Sequence, residues 1–140
     1  MIVLPLLKGL KLTLKRFLNP FSVITIQYPE KKREVSPRWR GIHYFAKDEK
    51  GETKCVACGL CQAVCPSNVI TIEAAEEPGG TRYPKRFSIN LTRCIFCGFC
   101  EEVCPKDAIK LGRNYEFVNY KRSDFILNKE DLLNYDLVKP

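Results

Sequence analysis

The stretch Lys54–Ile72, KCVACGLCQAVCPSNVITI, is answered 39 residues later by Arg93–Leu111, RCIFCGFCEEVCPKDAIKL. All four cysteines coincide, and so do glycine, valine, proline and isoleucine positions. Two copies are too few for a solenoid, which needs three or more stacked units, so they read as two halves of one domain with a pseudo-two-fold internal repeat. The chain of 140 residues has room for one modest domain with extensions, and a multidomain enzyme is excluded.

Each half carries the run C-x2-C-x2-C-x3-C-P: Cys55, Cys58, Cys61 and Cys65 before Pro66, then Cys94, Cys97, Cys100 and Cys104 before Pro105. Eight cysteines stand beside one methionine, one tryptophan and one histidine, so the chemistry of this chain runs on sulfur. Disulfides suit it poorly, because the start MIVLPLLKGLKLTLKRFLNP has basic residues within its apolar stretch and does not read as an export signal. A reducing compartment is expected. Two zinc sites would show paired CxxC units across a longer loop, without a third cysteine at the same short spacing.

The runs resemble those of bacterial two-cluster ferredoxins, in which the fourth cysteine ligates the other cluster. Carried over, that pattern implies two 4Fe-4S clusters: cluster A held by Cys55, Cys58, Cys61 and Cys104, and cluster B by Cys94, Cys97, Cys100 and Cys65. Three thiolates two residues apart let a curled loop reach three corners of one cubane, and Gly59 and Gly98 keep side chains away where the backbone passes close. Cys61 and Cys65 are one helical turn apart, roughly 6 Å, yet are assigned to different clusters, so the clusters must be close neighbours. Lys54, Arg93, Lys106 and Lys110 lie beside the ligands in sequence, solvated or softening the cluster charge.

The alternating runs Val69–Glu73, Phe87–Asn90 and Ile109–Leu111 predict strands, and a brief helix is expected in each cysteine motif. The intervening EAAEEPGGTRYPKR reads as a surface loop around Pro-Gly-Gly. The fold class is therefore α+β, a ferredoxin-like domain over 51–112 whose core is partly inorganic and whose folding should require its clusters.

The net charge of +7 is unevenly spread: residues 1–54 hold 12 basic against 5 acidic, so the excess belongs to the N-terminal extension. Within 1–28, residues 6–21 place Leu7, Leu10, Leu14, Phe17 and Phe21 on one stripe with Lys8, Lys11, Lys15 and Arg16 elsewhere. This predicts a basic amphipathic helix for a membrane interface or a partner's groove, the alternative being a helix folded back on its own domain. The longest uncharged run, Phe17–Pro29, has 13 residues, short of the ~20 needed to cross a bilayer.

Residues 29–50 read as a basic, proline-broken strap lying along another surface. Its basic residues alternate with Trp39, Tyr44 and Phe45, but no nucleic-acid module accompanies them, and nucleic acid is not expected as a partner. His43, the only histidine, is assigned to packing or the surface. The tail 113–140 carries Tyr115, Phe117, Tyr120 and Phe125 for docking, the alternative being a tail packed on its own domain, with Asn128 capping a short helix through Leu133.

Taken together, the strap YPEKKREVSPRWRG, the pair CVACGLCQAVCP and CIFCGFCEEVCP, and the tail YEFVNYKRSDFILNKEDLL resemble the ferredoxin-like subunit I of NADH-quinone oxidoreductase, respiratory complex I. That resemblance implies an electron-relay subunit without a catalytic residue or substrate site of its own. Its two 4Fe-4S clusters would pass electrons from NADH towards a terminal cluster and quinone. It also implies a hetero-oligomer with other peripheral-arm and membrane-arm subunits, and an N-terminal helix where the arm meets the membrane. With no transit peptide in view, the cytoplasmic face of the bacterial inner membrane is expected. The competing readings are the equivalent subunit of a membrane-bound hydrogenase and a cluster-braced nucleic-acid-binding protein.

Overall fold

Both cysteine runs curl through the same backbone conformations. Ala57, Gly59 and Asn68 take left-handed φ values of 49°, 81° and 48°, and Phe96, Gly98 and Asp107, each 39 residues on, take 52°, 87° and 48°. Gly59 leads into helix α2 (Leu60–Val64) and Gly98 into α3 (Phe99–Glu102). The left-handed turn costs glycine nothing, and it reverses the chain so that the third cysteine of each run starts a helical turn. At Cys65 the chain is already extended, with φ −68° and ψ 112°, as the following Pro66 requires.

These features come from a computed structural model that describes residues 3–19, 21 and 24–134. The chain divides into two units, Met1–Glu34 and Val35–Pro140. In the first, α1 runs over Val3–Phe17. Pro5 sits in its first turn, where a missing N–H goes unnoticed. The helix begins earlier than the expected 6–21 and ends sooner, because Asn19 precedes a proline and such a residue is pushed out of helical geometry. Pro20 lies outside the described residues, and Phe21 stands beyond the helix, 96% exposed. No residue of α1 is buried.

The second unit holds two small antiparallel sheets. One pairs β1 (His43–Phe45) with β4 (Ile109–Leu111), in the register His43 to Leu111, Tyr44 to Lys110 and Phe45 to Ile109. The other has the order β2-β3-β5, from β2 (Ile70–Glu76), β3 (Arg82–Asn90) and β5 (Ile126–Asn128). Phe45 and Phe87 meet edge to face with ring centroids 4.7 Å apart and join the sheets. Ile89, Ile109 and Leu132 are the most completely buried large apolar side chains of this core.

Three expectations change here. EAAEEPGGTRYPKR is mostly strand: β2 and β3 continue to Glu76 and Arg82, and the turn is confined to Glu77–Thr81, closed by Gly80 N–H to the Glu77 carbonyl at 2.9 Å. Glu73 faces Arg86 at 3.2 Å and Glu76 faces Arg82 at 3.5 Å across the ladder. Pro84 is tolerated because the register shifts at Glu73/Ala74 and because β5 pairs only with Ser88–Asn90, so its missing N–H costs no ladder bond to β5 although its ring is buried.

Nor is 29–50 all strap. Ile42, His43 and Phe45 are buried, and β1 belongs to the domain. The tail likewise contributes β5 and α4 (Lys129–Asn134), which packs on β1, β3 and β5. Asn128 precedes α4 as expected, its N–H donating to the Asp131 carboxylate at 2.9 Å. Phe117 and Phe125 pack edge to face at 5.2 Å against the core, and Tyr115 meets Trp39 at 6.2 Å, whereas Tyr120 is fully exposed.

Candidate metal centres

All eight cysteines are free thiols. Among the described residues, no three His, Cys, Asp or Glu groups converge as they would around one ion. The thiols instead ring two hollows. Cys55, Cys58, Cys61 and Cys104 line one, hollow A, and Cys65, Cys94, Cys97 and Cys100 line the other, hollow B. The last cysteine of each run thus joins the first three of the opposite run, because α2 and α3 lie side by side and each carries its C-terminal cysteine across.

The walls are otherwise largely apolar. Phe45, Ile72, Phe87 and Ile109 close hollow A, while Val69, Ile70 and Ile95 line hollow B. Backbone amides reach the sulfurs: Ala57 N–H donates to Cys55 Sγ at 3.4 Å, Phe96 N–H to Cys94 Sγ at 3.4 Å and Ala108 N–H to Cys104 Sγ at 3.2 Å. Such donors stabilise sulfur that carries negative charge.

Burial pushes the Cys61 thiol up to about 11, and Cys55, Cys58 and Cys104 add to the rise. Burial pushes Cys100 up to about 12, and Cys94, Cys61 and Cys97 add to it. Burial also raises Cys55 and Cys94, each against a downward pull from its own amide donor, at Ala57 and Phe96. Cys104 raises Cys55 further and Cys65 raises Cys94, so the crossing cysteines are felt electrostatically in the hollows they line. Thiols held this high are neutral until a metal displaces their protons, so ligation releases protons. Four thiols, apolar walls and amide donors to sulfur fit an iron–sulfur cubane in each hollow.

His43 was assigned to packing or surface, and it is packed. It is 2% exposed, tilted against Phe96 with ring centroids 5.7 Å apart, and it also lines hollow B. Burial lowers its pKa to about 4, and its Nδ1 makes no hydrogen bond. Of the four basic residues near the ligands, Lys110 is held by Asp107 at 2.9 Å, Arg93 donates to the Ser67 carbonyl at 3.3 Å, and Lys106 lines hollow A. Sequence reasoning missed Phe87 and His43 as wall residues; only the strand register brings them to the hollows.

Comparison with known proteins agrees with this geometry. Residues 54–108 match the 4Fe-4S dicluster domain family. NADH-quinone oxidoreductase subunit I 1 of Geobacter sulfurreducens is 49% identical over 132 residues, covering 94% of this chain and 97% of its own length. Subunit I 2 of Geobacter metallireducens is 46% identical, covering 94% and 98%. Subunit I 1 of Nitrosococcus oceani is 50% identical over 109 residues, or 78% of this chain and 61% of its own. Among solved structures, a chain of the membrane-bound sulfane sulfur reductase, an archaeal respiratory membrane complex, superposes with a TM-score of 0.53 at 30% identity. The match covers 73% of this chain and 50% of that one.

Proposed function

The chain belongs to the NADH-quinone oxidoreductase subunit I family, and from that footing we propose how its two hollows serve as an electron relay in complex I. The observation that carries the reading is the sorting of eight thiols into two rings of four, inside a domain of the 4Fe-4S dicluster family. In the ligand assignment we infer, Cys55, Cys58, Cys61 and Cys104 would hold cluster A, and Cys94, Cys97, Cys100 and Cys65 would hold cluster B. Bound there, two 4Fe-4S clusters supply one-electron redox chemistry.

What this chain's residues do follows from their positions. The thiolates bring the two sites close together, since Cys61 in the first turn of α2 and Cys65 at its C-cap line different hollows. Apolar walls bury Cys61 and Cys100, and amide donors stabilise charge on Cys55, Cys94 and Cys104. The paired φ values and the exchange of fourth cysteines support a pseudo-two-fold domain over 51–112, completed by β1 from 29–50 and by β5 and α4 from 113–140. The likeness to a sulfane sulfur reductase chain shows the same kind of fold in a respiratory complex of another name, so NADH and quinone are argued from the family, not from the fold.

The partners are other subunits of the complex, and the chain is a peripheral-arm subunit. We read α1 as its membrane-facing element. Leu7, Leu10 and Leu14 are exposed along one face, Lys8, Lys11, Lys15 and Arg16 occupy others, and no acidic residue precedes Glu30. Among the described residues no helix is long and apolar enough to cross a membrane. The bacterial relatives and eight free thiols support the cytoplasmic face of the inner membrane.

Cys61→Ala and Cys104→Ala in the assembled complex test the relay. Each should stop NADH-to-quinone electron flow while NADH oxidation by artificial acceptors upstream continues. Quinone reduction at the normal rate in either variant, with cluster A shown to be missing, would refute the reading.

A further inference from the structure

The two hollows correspond residue by residue. Each cysteine, proline and isoleucine of hollow B stands 39 positions from its counterpart in hollow A: Cys65 from Cys104, Pro66 from Pro105, Ile70 from Ile109. The strands extend the match. Leu111 pairs with His43, and Ile72, its counterpart 39 positions earlier, pairs with Phe87. His43 lines hollow B and Phe87 lines hollow A. At one structurally equivalent place, therefore, site A has a phenyl ring and site B an imidazole.

That imidazole is buried to 2% exposure, and its Nδ1 has no hydrogen-bond partner in the chain. A buried polar nitrogen without a partner is costly and is not explained by packing that phenylalanine performs in the same fold. The hollow it lines is bordered by four cysteines, Cys65, Cys94, Cys97 and Cys100. Sulfur charge grows when a cluster is reduced, so a donor there favours the reduced form, and hydrogen bonds to sulfur are a principal determinant of potential.

We propose that His43 donates a hydrogen bond from Nδ1 to a sulfur at site B and raises the reduction potential of that cluster, a lever that Phe87 does not give site A. The inference rests on the ligand assignment above. It concerns each site against itself, because hollow A also has Lys106 where hollow B has Ser67.

The experiment uses the full chain with clusters reconstituted anaerobically, and iron analysis first establishes that both sites are filled. Redox titration followed by electron paramagnetic resonance then compares wild type, His43→Phe and His43→Asn. His43→Phe should make reduction of cluster B at least tenfold less favourable, a shift of about 59 mV for one electron, with cluster A unmoved. His43→Asn, which retains an N–H donor near the Nδ1 position, should restore part of the difference. A packing role alone predicts no selective shift.

His43 is the only histidine in the chain, so 15N-histidine labels this one ring. Pulsed resonance of the reduced wild-type protein should show a 15N coupling on cluster B, a measurement that survives even if a variant fails to assemble. Filled sites with no coupling, or His43→Phe with cluster B at its wild-type potential, would overturn the proposal. Failure of the wild-type chain to fill both sites would instead overturn the ligand assignment on which it rests.

Discussion

Leu132 decides whether the C-terminal segment is an appendage or part of the fold. It lies in α4, is wholly buried, and belongs to the helix that packs on β1, β3 and β5, thereby backing the strand that carries His43. Leu132→Ala forfeits transfer free energy at about 0.8 kcal/mol for each methylene-sized group removed, or roughly 2–3 kcal/mol. The hole left behind adds to this, because three strands bound the site and cannot all collapse into it, which puts the total at about 3–4 kcal/mol. Against a typical domain stability of about 5–15 kcal/mol, that is a large fraction. Tyr120→Ala is the internal control: it lies in the same segment but is fully exposed, and should fall within about 0.5 kcal/mol of wild type. Anaerobic guanidinium titration of the reconstituted chain, followed by far-ultraviolet circular dichroism and by cluster absorbance, measures both. If Leu132→Ala unfolds as late as Tyr120→Ala, the tail contributes nothing to the core and the argument fails.

Other perturbations address the remaining elements. Cys65→Ala should lose the same resonance signal as Cys94→Ala and keep the one lost in Cys55→Ala, although Cys65 is closer in sequence to Cys55; matching Cys55→Ala would reverse the crossed assignment. At Gly41 an added Cβ would run into the Asn114 carbonyl and stand 2.8 Å from that of Gly112, while Gly41 N–H donates to Gly112 O at 2.8 Å. Gly41→Ala should therefore cost about 1–3 kcal/mol by overpacking, read as an earlier denaturation midpoint. For α1, Leu10→Asp should weaken flotation of the full chain with anionic vesicles several-fold, and Lys11→Gln should do so only at low salt; unchanged flotation in Leu10→Asp would remove the membrane-facing reading.

The cysteine loops were legible because their information is local. A ligand at every third position, a glycine before each helix and a proline after each fourth cysteine dictate the same turn twice, and both copies adopt it. The hairpin was half legible. Its Pro-Gly-Gly marks the turn, but Glu73 and Glu76 find Arg86 and Arg82 only across a ladder, and composition alone could not separate that ladder from a charged loop. The signal that finds it is spacing, since the acidic and basic residues mirror each other about the glycines. Strand β1 was beyond such reasoning. Three residues, a histidine and two aromatics, become a strand because β4, far along the chain, supplies the partner. In the tail, aromatic content said nothing about direction, and Phe117 and Phe125 turned inward while Tyr120 did not.

The same limit explains why the difference between the two sites lay hidden in a sequence that displays their sameness so openly. Aligned at an offset of 39, the repeat equates every ligand, but His43 and Phe87 are 44 apart and never align. They become equivalent only through their partners, Leu111 and Ile72, because the stretch from strand to first cysteine is longer in the first half than in the second. A relay of two neighbouring sites needs both properties. The shared turns hold the sites close: Cys61 raises Cys100 across the boundary, so charge at one hollow is felt at the other. Closeness alone gives no preference for where an electron rests. That preference has to come from positions where the halves differ: Lys106 against Ser67 within the repeat, and His43 against Phe87 through the strand register.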